Sequence, residues 1–164
     1  MLALEWLKQA LVSAPRSAIK IVAGGSQFWS EGRFEGWQHF ATERAAFAAW
    51  LLEARIEGVM FVSGDRHFGE LLRIARPGAY PLYEFTSSPL TSRPSGRLDK
   101  ADSENPDVVA DTLVAKRQFG LIRVTGPGND RRIAFEARDS AGSLLWRREI
   151  AASELRLPRS RTTP

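Results

Sequence analysis

Apolar side chains recur at helical spacing near the start of the chain. Leu4, Leu7, Leu11 and Val12 share one face of a helix expected over residues 3 to 13, which Pro15 stops. Residues 18 to 23 (AIKIVA) read as a strand ended by Gly24 and Gly25. The loop over 26 to 40, SQFWSEGRFEGWQHF, is crowded with aromatics and glycine, so it packs over something. Its rings either wall a pocket or cover a core edge. Thr42 is the expected N-cap of a second helix whose buried stripe is Phe47, Trp50, Leu51 and Ala54. Gly58 supplies the left-handed residue that ends it. Residues 59 to 63 (VMFVS) are apolar on both faces, as a strand inside an α/β sheet must be.

The pattern then changes. Residues 80 to 86 (YPLYEFT) read as another strand, with Pro81 near its start. Residues 87 to 106 form a polar loop rich in proline and serine, without periodicity. Strands follow at 119 to 125, 132 to 138 and 144 to 150, with a hairpin turn at Ala141-Gly142. This half reads as antiparallel β. The expected class is therefore α/β (α+β overall), with helix–strand units first and antiparallel strands last. No repeat or linker divides residues 1 to 164, and residues 156 to 164 are expected to form a disordered tail.

At 164 residues, 43% hydrophobic and 26% charged, the chain is long enough to bury a sizeable core. It has no apolar run of about 18 residues or more, so no membrane-spanning helix is expected. Glu5, Trp6 and Lys8 interrupt the first apolar stretch, so residues 1 to 15 do not read as an export signal. The absence of cysteine removes thiolate zinc sites and cysteine nucleophiles. Net charge is +4, and arginine outnumbers lysine. The arginines are scattered rather than banded, so nucleic acid is not expected as a primary partner. Only Arg156, Arg159 and Arg161 approach a cluster.

One constellation carries chemistry: Ser63-Gly64-Asp65-Arg66-His67, where a buried strand ends. Open α/β sheets place ligands and catalytic groups there. An oxygen ligand and a nitrogen ligand two residues apart can serve a first-row metal or a metal pair. The alternative is an aspartate that caps the turn and a histidine that hydrogen-bonds to it. Ser26 after Gly24-Gly25 is placed like a nucleophile, but the glycine required two positions later is Phe28. Serine hydrolysis therefore ranks below metal chemistry. Neither phosphate-cradling glycine pattern is present.

Residues 59 to 71, VMFVSGDRHFGEL, resemble the SGDRH-F-x-EL signature of the PhoD-like alkaline phosphatases, of the calcineurin-like metallophosphoesterase superfamily. Trp37, Phe40, Glu43 and Arg44 are similar to the family's segment ahead of that strand. YPLYEFTSS over 80 to 88 resembles its EFTSS strand, and QFGLIRV over 118 to 124 a later strand. Asp139, Gly142 and residues 150 to 155 resemble its closing hairpin, and Leu4 to Leu11 its first helix here. The resemblance covers nearly the whole chain.

What the resemblance implies is hydrolysis of phosphate mono- or diesters at a two-metal centre, in part of an αββα sandwich. It makes His67 a metal ligand and Asp65 a ligand or its orienting partner, together the catalytic pair. Arg66 would approach a substrate phosphate or point to solvent. Gln27 and Trp37 would line the substrate side or serve in loop packing. The metals implied are divalent, with iron, calcium, zinc or manganese all compatible. A two-metal site needs about six protein ligands, whereas this chain has two histidines, His39 and His67, and His39 matches no family position. The family's other metal motifs lie N-terminal to the matched region. The expectation is thus a C-terminal half: either a truncated piece whose site is incomplete without a missing N-terminal half, or a degenerate relative. Many members of the family are exported, and any signal would lie upstream of Met1. The competing expectation is a non-catalytic binding module, motivated by an open sheet edge and the aromatics Phe28, Trp29 and Phe34.

Overall fold

The computed structural model describes residues 2–32, 35–96, 98–128 and 130–158. Phe34, Arg159 and Arg161 lie outside the described residues. Helix α1 (Leu2–Ser13) leads to strand β1 (Lys20–Ala23). A 3-10 turn (Trp37–Phe40) runs directly into helix α2 (Ala41–Glu53), followed by β2 (Val59–Ser63). Strands β3 (Glu70–Ile74) and β4 (Leu82–Thr86) come next, then a short helical turn α3 (Lys100–Ser103). Strands β5 (Gln118–Thr125), β6 (Arg132–Asp139) and β7 (Leu144–Ala151) complete the fold.

The first four strands form one mixed sheet in the order β1-β2-β4-β3, and the last three an antiparallel sheet in the order β5-β6-β7. Strands β1, β2 and β4 are parallel, with Val22 opposite Phe61 and Phe61 opposite Glu84. The strand expected at 80 to 86 therefore belongs to the first sheet, not to the antiparallel half. Strand β3 went unread because Glu70 and Arg73 break the apolar pattern; it pairs antiparallel with β4. The segment 105 to 114 covers its outer edge through Arg73 N–H to the Asp107 carbonyl (2.8 Å) and Val109 N–H to the Leu71 carbonyl (2.8 Å). Strand β1 keeps its outer edge uncovered among the described residues, and Ile21 is exposed there.

Three layers result. On one face of the mixed sheet, Phe61 meets Phe28 (4.9 Å between centroids) and Trp29 (5.3 Å), while Trp37 meets Phe47 (5.2 Å). On the other face, Phe85 packs against Phe135 (5.8 Å) and Trp146 (5.3 Å) of the antiparallel sheet. The aromatic loop covers the core with Trp29 and leaves Phe28 and Trp37 half-buried, so it does both things expected of it. Fully burying side chains such as Phe47, Leu51 and Phe61 stabilises the fold by about 1.5–3 kcal/mol each.

Several local expectations are corrected. Thr42 does not cap α2: the helix grows out of the preceding 3-10 turn, with Phe40 at the cap position and no side-chain hydrogen bond. Val12 and Ala54 are exposed, because only one side of each helix reaches the sheet. The left-handed residue after α2 is Arg55 (φ +52°), while Gly58 (φ +76°) turns the chain into β2. A Cβ at Gly58 would lie 2.4 Å from the Ala18 carbonyl oxygen. At the chain's end, Arg156 Nη2 donates to the Ser17 carbonyl (3.0 Å) and Leu157 is buried; the rest of the tail expected over 156 to 164, residues 159 to 164, lies outside the described residues.

Candidate functional site

Loops leaving the carboxyl ends of β1 and β2 are joined by backbone hydrogen bonds, Gly24 N–H to the Val62 carbonyl (3.0 Å) and Gly64 N–H to the Gly25 carbonyl (3.2 Å). Beyond Gly64 the chain turns tightly, with Arg66 N–H donating to the Gly64 carbonyl (2.9 Å). Asp65 (φ +65°) and His67 (φ +59°) both occupy the left-handed region, which is uncommon for residues other than glycine. This backbone sends side chains alternately out and in: Asp65 and His67 are exposed, while Arg66 between them is buried. The turn is held from outside by Ser95 N–H on the His67 carbonyl (2.7 Å) and by Ser88 Oγ on the Phe68 carbonyl (2.9 Å).

Asp65, Arg66, His67, Glu35 and Ser95 line one cavity of about 370 Å³, a size that admits a small ligand. No hydrogen bond joins Asp65 to His67 among the described residues, so the cap-and-partner arrangement is not what holds them. Arg66 does not extend freely toward the cavity. Its Nη2 donates to Asp102 Oδ1 at 2.6 Å, and its guanidinium lies over the Phe68 ring (5.2 Å).

Gln27 is turned inward. Its Nε2 donates to Glu70 Oε1 (2.7 Å) and to Thr86 Oγ1 (2.8 Å), and Ser63 Oγ lies 3.0 Å from the same hydroxyl. Glu84 sits in the same face of the sheet and accepts Phe28 N–H and Trp29 N–H, both at 2.8 Å. Burial raises the pKa of both Glu70 and Glu84, that of Glu70 to about 8. This buried carboxyl network anchors the aromatic loop and the starting point of the Asp65–His67 turn to one sheet. Trp37 donates Nε1 to Glu43 Oε1 (2.7 Å) and lines a second opening of about 410 Å³ with Gly24, Ser26, Phe28 and Phe40. Glu35 lines both openings. Ser26 lines a different opening from Asp65 and His67, so the three are not assembled as a hydrolase triad.

Sequence reasoning passed over Glu35, Glu70, Glu84 and Asp102. One of these had a signal: Glu84 is the one charge in the strand Leu82–Thr86, whereas Glu70 shares its strand with Arg73 and had none. Asp102, in the short helical turn α3, and Glu35, in the aromatic loop, also had none.

The donor set does not amount to a metal centre. Among the described residues, no group of three or more His, Asp, Glu or Cys side chains is placed to hold a metal ion. Asp65 and His67 offer two ligands where a structural or catalytic site needs at least three or four.

Compared with known proteins, the sequence matches no family model and no curated protein. Solved structures do match. The structure of PhoD superposes with a TM-score of 0.59 at 15% identity, over 89% of this chain and 34% of that one. The chain has a partial PhoD-like fold, mixed α/β with an antiparallel three-stranded sheet at its end, and spans about a third of the solved PhoD chain. No helix among the described residues is long and apolar enough to cross a membrane.

Proposed function

We propose that this chain is the C-terminal half of a PhoD-like phosphoric ester hydrolase and supplies part of the wall of its active site. The observation that supports this is the turn at the carboxyl end of β2. It holds Asp65 and His67 in left-handed conformations, side chains outward, on one cavity of a partial PhoD-like fold. Strain of this kind, about 1–3 kcal/mol per residue, persists where surrounding structure enforces it, and clusters at functional sites.

In this reading the substrates are phosphate mono- or diesters and the cofactors divalent metals. Asp65 and His67 contribute two ligands, and the others come from residues outside the 164. Arg66 acts as a strut rather than a phosphate clamp, because its guanidinium is engaged by Asp102. Glu35 edges the cavity, and Trp37 lines the neighbouring opening that shares Glu35. Gln27 positions the loop from beneath.

The test is hydrolysis of 4-nitrophenyl phosphate and its diester, with manganese, zinc, calcium or iron supplied. The chain is assayed alone and together with the polypeptide encoded immediately upstream. Turnover is expected only for the pair, with a loss of 100-fold or more in His67→Ala. Absence of turnover in every combination, or full turnover in His67→Ala, overturns the proposal.

A second reading, a non-catalytic binding module, is favoured by the uncovered β1 edge and the exposed Ile21 and Phe40. It predicts stabilisation by a partner without hydrolysis in any combination.

A further inference from the structure

At the amino ends of β1 and β2, across the sheet from Asp65 and His67, lies a cavity of about 490 Å³. Its lining brings together Arg16, Arg55, Arg131 and Arg156 from four separate parts of the chain, with Glu57 as the acidic member. Glu57 is already engaged: its Oε2 lies 3.6 Å from Arg156 Nη1 and its Oε1 accepts Leu157 N–H (3.0 Å). Arg156 is engaged too, since its guanidinium also donates to the carbonyls of Arg16 and Ser17. That leaves the guanidinium groups of Arg16, Arg55 and Arg131, which have no hydrogen bond or ion pair among the described residues. Like charges gathered in one concavity repel unless an anion joins them. Lys20, beneath the same loops, has its pKa lowered by burial and then by Arg156.

Arg55 adds an independent observation. It stands at φ +52° where α2 ends, and Ile56 N–H closes the helix onto the Leu51 carbonyl (2.9 Å). Glycine is the usual residue for that backbone. An arginine there holds a strained conformation and places a fork of donors on the cavity, the feature phosphate recognition uses.

The geometry points to a second ligand site at this cavity, for a small anion carrying two or more phosphate groups, bound by Arg16, Arg55 and Arg131. The cavity has the volume of a small-molecule site rather than of an extended polymer groove. The site is separate from the Asp65–His67 cavity and does not depend on the function proposed there.

Calorimetric titration of the full chain with inorganic pyrophosphate, in low salt and without divalent metal, tests this. Saturable one-site binding is expected, weakened at least tenfold in Arg55→Gln/Arg131→Gln and unchanged in Asp65→Asn/His67→Ala. The charge-matched control Lys116→Gln/Arg117→Gln, on an exposed loop, should bind as the parent does. A parallel titration with ADP separates an inorganic ligand from an organic diphosphate, either of which supports the site. No saturable binding overturns the proposal, as does equal weakening by the control pair or full affinity in the Arg55/Arg131 variant. Circular dichroism of each variant establishes that the comparison is between folded proteins.

Discussion

Arg66 and Asp102 form a buried ion pair, with Nη2 and Oδ1 2.6 Å apart and side chains only 4% and 3% exposed. Thirty-six residues separate them, so the pair ties the turn after β2 to the loop that carries α3. Gly32 backs onto both partners: a Cβ there would lie 2.7 Å from Arg66 Nη2 and 2.9 Å from Asp102 Oδ1. Three segments thus converge behind the candidate site.

Removing one partner strands the other charge in a dry environment, which costs about 3–5 kcal/mol. Asp102→Ala is therefore expected to lose about that much in urea denaturation. The apolar double variant Arg66→Met/Asp102→Leu should recover most of the loss. A single-variant loss below about 1 kcal/mol would show that the pair is solvated in solution.

The left-handed turn predicts a trade between stability and function. His67→Gly relieves backbone strain of about 1 kcal/mol, so its thermal midpoint should rise while the proposed metal ligand is lost. An unchanged or lower midpoint would mean that the His67 side chain contributes more to the fold than its backbone costs.

Acid–base behaviour should follow the buried carboxyls. Burial disfavours the charged form of Glu70 and pushes its pKa from the ordinary 4.5 up to about 8 in the folded chain. Between those values the unfolded state binds fewer protons, so this group's contribution weakens as pH rises from about 4.5 to 8. Glu84 is shifted the same way. Denaturation midpoints measured across that range should fall toward pH 8, and Glu70→Gln should flatten the slope. Glu136 acts oppositely: hydrogen bonding from Arg138, with Arg123 and Arg147 nearby, lowers its pKa. Its contribution is present above the ordinary carboxylate range and disappears as pH falls through its folded value. Below about pH 4.5 the parent should therefore lose stability that Glu136→Gln does not.

The contact between the two sheets depends on one missing side chain. A Cβ at Gly120 of β5 would stand 2.5 Å from the Phe85 ring, which is fixed between Phe135 and Trp146. Gly120→Ala should cost about 1–3 kcal/mol by overpacking. Adding Phe85→Leu should return part of it, a coupling that a double-mutant cycle measures.

Much of the architecture was legible in the chain because burial leaves a periodic record. Leu4, Leu7 and Leu11 mark the inner side of α1; Val59, Met60 and Phe61 announce a strand covered on both faces. Strand β3 left no such record, since Glu70 and Arg73 interrupt it. Glu70 accepts a hydrogen bond from Gln27 (2.7 Å), and Arg73 reaches the Tyr83 hydroxyl (3.2 Å). Both solutions exist only after the strands have paired. At the site, the position of Asp65 and His67 at a strand end followed from local order alone.

Local chemistry, then, determined which segments became helices and strands and where the Asp65–His67 turn would fall. Folding in three dimensions decided the rest. It made Arg66 a strut by bringing Asp102 to it, turned Gln27 toward Glu70, and gathered Arg16, Arg55 and Arg131 around one cavity. Periodicity is a property of neighbours along the chain, whereas charge pairing and enclosure depend on residues that only the sheet order brings within reach.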